Sequence, residues 1–468
     1  MSRGTTAPRA LAGVLAIAAI GCLVVAFRTP ADAEVQEGSD TPPLATPVWS
    51  PRRSPHSFVV AVGSTNLQRT LDELAAGTQS CFRVDVDGLG TVAAGGSAPT
   101  VIPASTEKVL TAAGTLGALG PEFTFTTSAV GTAPPAGGVV DRIWLVGGGD
   151  PVLSTAEWTA KQAAEPEYGG LTDSFTPLES LADSIVAAGV RAIPGGVVGD
   201  GSAYSTPTTL PTWKESYRAE VGPLGALVVD DGFDPVTGQQ VPDPVLAAAG
   251  QLSALLVARG VAVGPPTTGI APSDSVEVAS IRSAPLPALV TEMLSASDNG
   301  TAEAFALAVG KATADTGTVT AGTAGILAAL KDAGVDVSGV TLVDGSGLSR
   351  ENQVTCPALI QTLGLGVQPR YRSVVEGLAI AGQRGTLAER FGGTALVGRL
   401  WGKTGSLNGV AGLTGLLDVN AGAGTPRFAT VFNGDFTESG GRQLVGSAAA
   451  AIDAYPLSPT ADQLVPAP

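Results

Sequence analysis

The chain has 468 residues, 44% of them hydrophobic and 15% charged, with a formal net charge of −16 and a single histidine. The acidic balance argues against nucleic acid as a partner, because phosphates require basic patches, and equally against charge-driven binding to anionic lipid headgroups. The lone imidazole follows Pro51-Arg52-Arg53-Ser54-Pro55 as His56, a stretch too proline-rich for a packed site, which excludes a Ser-His-Asp triad and histidine-based zinc sites.

At the N-terminus Arg3 and Arg9 precede an apolar run over residues 10–27, and Ala31-Asp32-Ala33 follows it. A basic start, an apolar centre and small residues at the cleavage positions mark an export signal. Residues 1–33 are expected to be a signal peptide or an uncleaved membrane anchor, and either exports the rest to the cell envelope. Membrane contact is expected through this segment alone. Residues 34–57 carry Pro42, Pro43, Pro47, Pro51 and Pro55 and read as an extended spacer. Folded sequence is expected from Phe58. Residues 81–88 alternate as a strand entering a turn, and residues 104–119 have helical periodicity.

From about 124 the character changes. Short apolar runs at 142–146 and 195–200 end in glycine-rich turns, and helical patterns recur at 178–188 and 245–260. This reads as an inserted α/β unit, with bounds set at 141–285. After 286 the pattern turns helical, and strands are expected near 397–401, 409–417 and 427–433, with a helix over 443–454. The tail 456–468 reads as loose. Outside the apolar run the cysteines are Cys81 and Cys356. A disulfide and two buried thiols are both open at this stage, since sequence separation does not show whether their Cβ atoms meet.

The chemistry concentrates in three short motifs. Ser105-Thr106-Glu107-Lys108 opens the predicted helix. Residues three apart share a helix face, so a lysine can take the proton that a serine must lose to become a nucleophile. Alone, the motif is equally an ordinary helix cap. Ser297-Asp298-Asn299 lies between two helical stretches and is by itself a capped turn. Lys403-Thr404-Gly405-Ser406 follows a strand-like run and is by itself a strand end. Together they are informative: they occur in this order, and two of only six lysines fall within them. The trio Ser-x-x-Lys, Ser-Asp-Asn, Lys-Thr-Gly is the signature of β-lactamases and penicillin-binding proteins.

More than the trio matches. The chain resembles the low-molecular-mass class C penicillin-binding proteins, the D-alanyl-D-alanine carboxypeptidase/endopeptidase family. Gly148-Gly149-Asp150-Pro151, Asp344-Gly345-Ser346-Gly347-Leu348-Ser349-Arg350 and Gly385-Thr386-Leu387-Ala388-Glu389-Arg390-Phe391 carry the likeness further. The resemblance implies a penicillin-binding, serine-β-lactamase-like α/β fold, with a discontinuous catalytic domain over 58–140 and 286–455. It implies Ser105 as the acylated nucleophile, Lys108 as its base and Ser297 as the proton relay to the leaving amine. Asn299 would hold the substrate amide, Lys403 would supply positive field, and Thr404 and Ser406 would grip a terminal carboxylate. Backbone N–H groups of Ser105 and Ser406 would form the oxyanion hole. Lys403 is expected to lower the pKa of Lys108. Peptidoglycan stem peptides are the implied substrate and β-lactams the implied inhibitors, with no metal and no organic cofactor. Carboxypeptidase and endopeptidase action would share one site. The Asp344–Gly347 stretch also reads as a plain turn. A β-lactamase or esterase of the same fold is one alternative, but no Glu-x-x-Leu-Asn stretch is present. A non-catalytic envelope module is the other, and the intact motifs count against it.

Overall fold

A computed structural model describes residues 56–418 and 424–456. The leader over 1–33, most of the spacer and nearly all of the tail lie outside the described residues. The spacer's last two residues belong to a helix, because α1 spans His56–Ala75. Next come β1 (Gln79–Val86), β2 (Gly90–Gly95) and α2 (Lys108–Leu119). The middle of the chain forms β3 (Thr126–Gly131), β4 (Ile143–Val146), α3 (Leu178–Ala187), β5 (Val197–Asp200), α4 (Pro244–Ala258), β6 (Thr267–Thr268) and β7 (Val276–Arg282). The last part forms α5 (Leu286–Ala296), α6 (Asn299–Ala314), α7 (Val319–Asp332), α8 (Cys356–Gly364), β8 (Ala379–Ile380), β9 (Leu400–Leu407), β10 (Val410–Leu417), β11 (Pro426–Asn433) and α9 (Glu438–Asp453).

The larger sheet has the order β8-β9-β10-β11-β1-β2 and is antiparallel throughout. Strand side chains alternate between faces, and this sheet buries both. Phe82 and Val84 of β1 share a cluster with Leu67 and Leu71 of α1 and Val445 and Ile452 of α9. Cys81 of β1 and Val431 of β11 face the other way, into a cluster with Leu110, Phe305 and Leu359 from α2, α6 and α8. On that face a disulfide joins Cys81 to Cys356, the first residue of α8, across a sequence separation of 275. Closing so long a loop restricts the unfolded chain and stabilises the fold by about 2–5 kcal/mol.

The smaller sheet has the order β6-β5-β4-β3-β7. Ile143 and Leu145 of β4 pack with Leu181 and Ile185 of α3 and Leu252 and Leu256 of α4 in a third cluster. The expected boundary at 140/141 cuts through this sheet, since β3 pairs antiparallel with β4 and with β7. In the structure the smaller sheet therefore begins at Thr126.

Candidate active site

Ala104, just before the expected nucleophile, stands at φ +48°. A left-handed backbone in an alanine is strained and is kept where the surrounding structure enforces it. Ala104–Glu107 form a 3-10 turn leading directly into α2, so the expected helix begins with a tighter turn. This places Ser105 and Lys108 on one face, with Lys108 Nζ donating to Ser105 Oγ at 3.0 Å. The same Nζ donates to Asn299 Oδ1 at 2.6 Å and to the Ser346 carbonyl at 2.8 Å.

Lys108 is fully buried. Burial pushes its pKa down to about 8, against Asp298, Glu303, Asp344 and Glu107, which raise it. Burial is thus the main cause, rather than the expected charge of Lys403. Lys403 is itself pushed well below the usual lysine value, first by burial and then by Lys108. A neutral Lys108 with its two N–H groups directed at Asn299 and Ser346 has a lone pair free for the Ser105 hydroxyl proton.

Ser297 ends α5 at φ +67°, which turns the chain sharply between two helices. Its Oγ accepts from Lys403 Nζ at 2.7 Å. Asp298 caps α6 by accepting from the Thr301 amide at 2.7 Å, and its other oxygen accepts from the Tyr168 hydroxyl at 2.9 Å. The Asn299 side-chain amide, expected to hold a substrate backbone, donates to the Glu220 carbonyl at 2.6 Å. A substrate amide group would have to take over the contact now made by that carbonyl or by Lys108.

The Lys403–Ser406 motif lies inside β9 and not after a strand, because all four residues pair with β10. A Cβ at Gly405 would sit 2.7 Å from the Pro103 carbonyl oxygen and 3.0 Å from the Thr106 amide nitrogen. Only glycine lets this strand press against the nucleophile turn. Thr404 Oγ1 shares a hydrogen bond with Thr386 Oγ1 at 3.0 Å. Ser105, Ser297, Asn299, Thr404 and Ser406 line one cavity of about 660 Å³, joined by Tyr217 and Glu220 of the middle segment. The expected oxyanion donors are backbone groups of two of these lining residues.

Sequence reasoning missed the loop that holds Lys108. Asp344 is fully buried and accepts from the amides of Gly347 and Ser349, from Asn352 Nδ2 and from Trp213 Nε1. Glu303 accepts from the amides of Gly345 and Ser346. The loop is therefore fastened on two sides, and the Ser346 carbonyl is aimed at Lys108. Its sequence signal was the Asp-Gly-Ser-Gly stretch, which a plain turn explains equally well.

Comparison with known proteins places the chain in a family. The family model described as D-Ala-D-Ala carboxypeptidase 3 (S13) matches residues 92–240 and 234–452, which takes in all three motifs. The chain belongs to this family. A carboxypeptidase of Mycobacterium tuberculosis is 34% identical over 339 residues, covering 69% of each chain. A D-alanyl-D-alanine carboxypeptidase of Actinomadura is 28% identical over 417 residues, covering 71% of this chain and 73% of its own. Among solved structures, penicillin binding protein 4 of Haemophilus influenzae superposes with a TM-score of 0.66 at 22% identity, covering 81% of this chain and 98% of its own. The S13 chain thus has the penicillin-binding, serine-β-lactamase-like fold.

Proposed function

We propose that this S13 enzyme cleaves the terminal D-Ala-D-Ala bond of peptidoglycan stem peptides through an acyl-serine intermediate, and that penicillins acylate the same serine. The observation that carries this reading is the buried amine of Lys108, depressed to about 8 and 3.0 Å from Ser105 Oγ. Neutral Lys108 takes the Ser105 proton as Oγ attacks the carbonyl of the penultimate D-Ala. The backbone N–H groups of Ser105 and Ser406 receive the developing negative oxygen. The peptide C–N bond then breaks, and the leaving amine gains a proton through Ser297, which Lys403 holds in place. Water cleaves the Ser105 ester, releasing the shortened peptide and restoring the hydroxyl. Asn299 orients the substrate amide, and Thr404 and Ser406 hold the terminal carboxylate.

A fluorescent penicillin tests the reading. The wild type is expected to carry a covalent label and to release D-Ala from a D-Ala-D-Ala peptide, and Ser105→Ala is expected to do neither. A labelled band that persists in Ser105→Ala would overturn it.

We place the enzyme outside the cytoplasm, as a secreted or membrane-tethered protein of the cell envelope. The basic and apolar leader over residues 1–33 and the Cys81–Cys356 disulfide support this, since disulfides persist in oxidising compartments. Intact-mass measurement of the protein from its native envelope should find Glu34 as the first residue if the leader is cleaved. Recovery of the full-length chain from the cytoplasm alone would count against export.

A further inference from the structure

Residues 385–391 lie beside the substrate-binding strand, and their chemistry is not used by the mechanism above. Thr386 is bonded to Thr404 of that strand. Four residues on, Arg390 lines a second cavity of about 470 Å³ together with Thr386, Thr404, Gly405, Ser406 and Arg442. The catalytic cavity is lined by the same Thr386, Thr404 and Ser406, so the two spaces meet at the hydroxyls assigned to a carboxylate.

Arg390 is half-buried, and among the described residues its guanidinium has no hydrogen-bond or ion-pair partner. Of the acidic groups around this cavity, Glu438 is engaged by Arg442, and Glu167 and Glu389 are exposed to water. The guanidinium is held by an aromatic ring, 5.4 Å from the centroid of Phe391. Phe391 stands at φ +65°, a strained backbone for a bulky residue. Burial, and then Arg442, pull the Arg390 pKa down, as expected for a cation lacking a counter-anion, although a guanidinium stays charged. Withdrawing an unpaired charge from water is unfavourable unless an anion arrives to meet it.

We infer that Arg390 receives the free α-carboxylate of the substrate beside Thr404 and Ser406, which makes it a specificity-determining residue for peptides with an unblocked C-terminus. A guanidinium fork matches a carboxylate bidentately, and the two hydroxyls supply the remaining donors. This assignment rests on the peptidase reading.

The test compares diacetyl-Lys-D-Ala-D-Ala with its C-terminal amide. In Arg390→Gln, kcat/KM for the acid is expected to fall about 10- to 100-fold, mainly through KM, as loss of a charge-assisted contact implies. The wild-type preference for acid over amide should collapse towards unity. A preference unchanged in the variant overturns the assignment. The structure of Ser105→Ala with the acid peptide bound provides a second readout that does not depend on the Arg390 variant folding. A guanidinium within about 3 Å of the carboxylate supports the assignment, and a carboxylate held by Thr404 and Ser406 with Arg390 remote overturns it. A wild type inert to penicillin and to both peptides overturns the peptidase reading and this assignment together, whereas an active wild type with an unchanged preference in the variant overturns this assignment alone.

Discussion

Penicillin acylation of Ser105 is expected to rise about tenfold per pH unit below pH 8 and to level off above it, because the reactive form of Lys108 is the neutral amine and its pKa is about 8. The sign follows from the role: a base gains activity as it loses its proton. Lys108→Ala should lower the rate at pH 8 by about 10²- to 10⁴-fold and remove the inflection. Lys108→Arg should be equally slow, since a guanidinium keeps the positive charge and cannot give up its proton. This separates a base from a merely electrostatic lysine. Glu303 is a second group that titrates in this range, pushed up to about 8 by burial and by Asp344. Glu303→Gln should retain the inflection, because the Gln carbonyl still accepts from the Gly345 and Ser346 amides. An inflection that survives in Lys108→Ala and disappears in Glu303→Gln would assign the titration to Glu303.

The second large effect is expected at Gly347. This residue has φ +86°, and a Cβ there would lie 2.1 Å from the Ala104 carbonyl oxygen and 3.2 Å from the Ser105 amide nitrogen. Gly334 is the internal control, with φ +89° and nothing within 4 Å of the added carbon. Gly334→Ala should cost about 1 kcal/mol of stability for the left-handed backbone alone. Gly347→Ala adds a backbone collision and should cost about 3 kcal/mol or more. It should also slow acylation, because the collision pushes on the nucleophile turn. Denaturant titration and penicillin labelling read the two effects. Equal stability losses at both glycines would show that the loop does not press on Ser105 as the geometry requires.

Much of the site was legible in the sequence because its chemistry resides in side chains at short spacings. Ser105 and Lys108 are three apart, and two of six lysines fall in the motifs, so both the helix face and the replacement for imidazole could be read directly. What escaped acts through the backbone. Ser346 contributes a carbonyl, which every residue has, and its aim depends on Asp344 and Glu303 distant in sequence. The contact of Trp213 with Asp344 escaped for a similar reason, since the two residues are 131 apart and no local pattern links them. The fold showed the same limit. The long helices and late strands were visible as periodicity. The change of character near 124 was visible, but that β3 belongs to the smaller sheet was not, because it is a short, small-residue strand whose partner β7 lies far along the chain. Lys403–Ser406 was expected after a strand because lysine and glycine weaken a strand pattern, yet the full pairing of these residues with β10 extends β9 through them.

The pairing of β1 with β11 bears on the order in which a ribosome delivers the parts. Gln79 lies opposite Asn433, so the sheet joins segments from near both ends of the folded chain. The nucleophile is made early, but β9 and the strands that hold it are made last. A chain arrested before residue 400 contains Ser105 and Lys108 but lacks β9, and with it the wall of the cavity that Thr404 and Ser406 form. A chain arrested there is therefore expected to show no penicillin labelling, although it already carries Ser105 and Lys108.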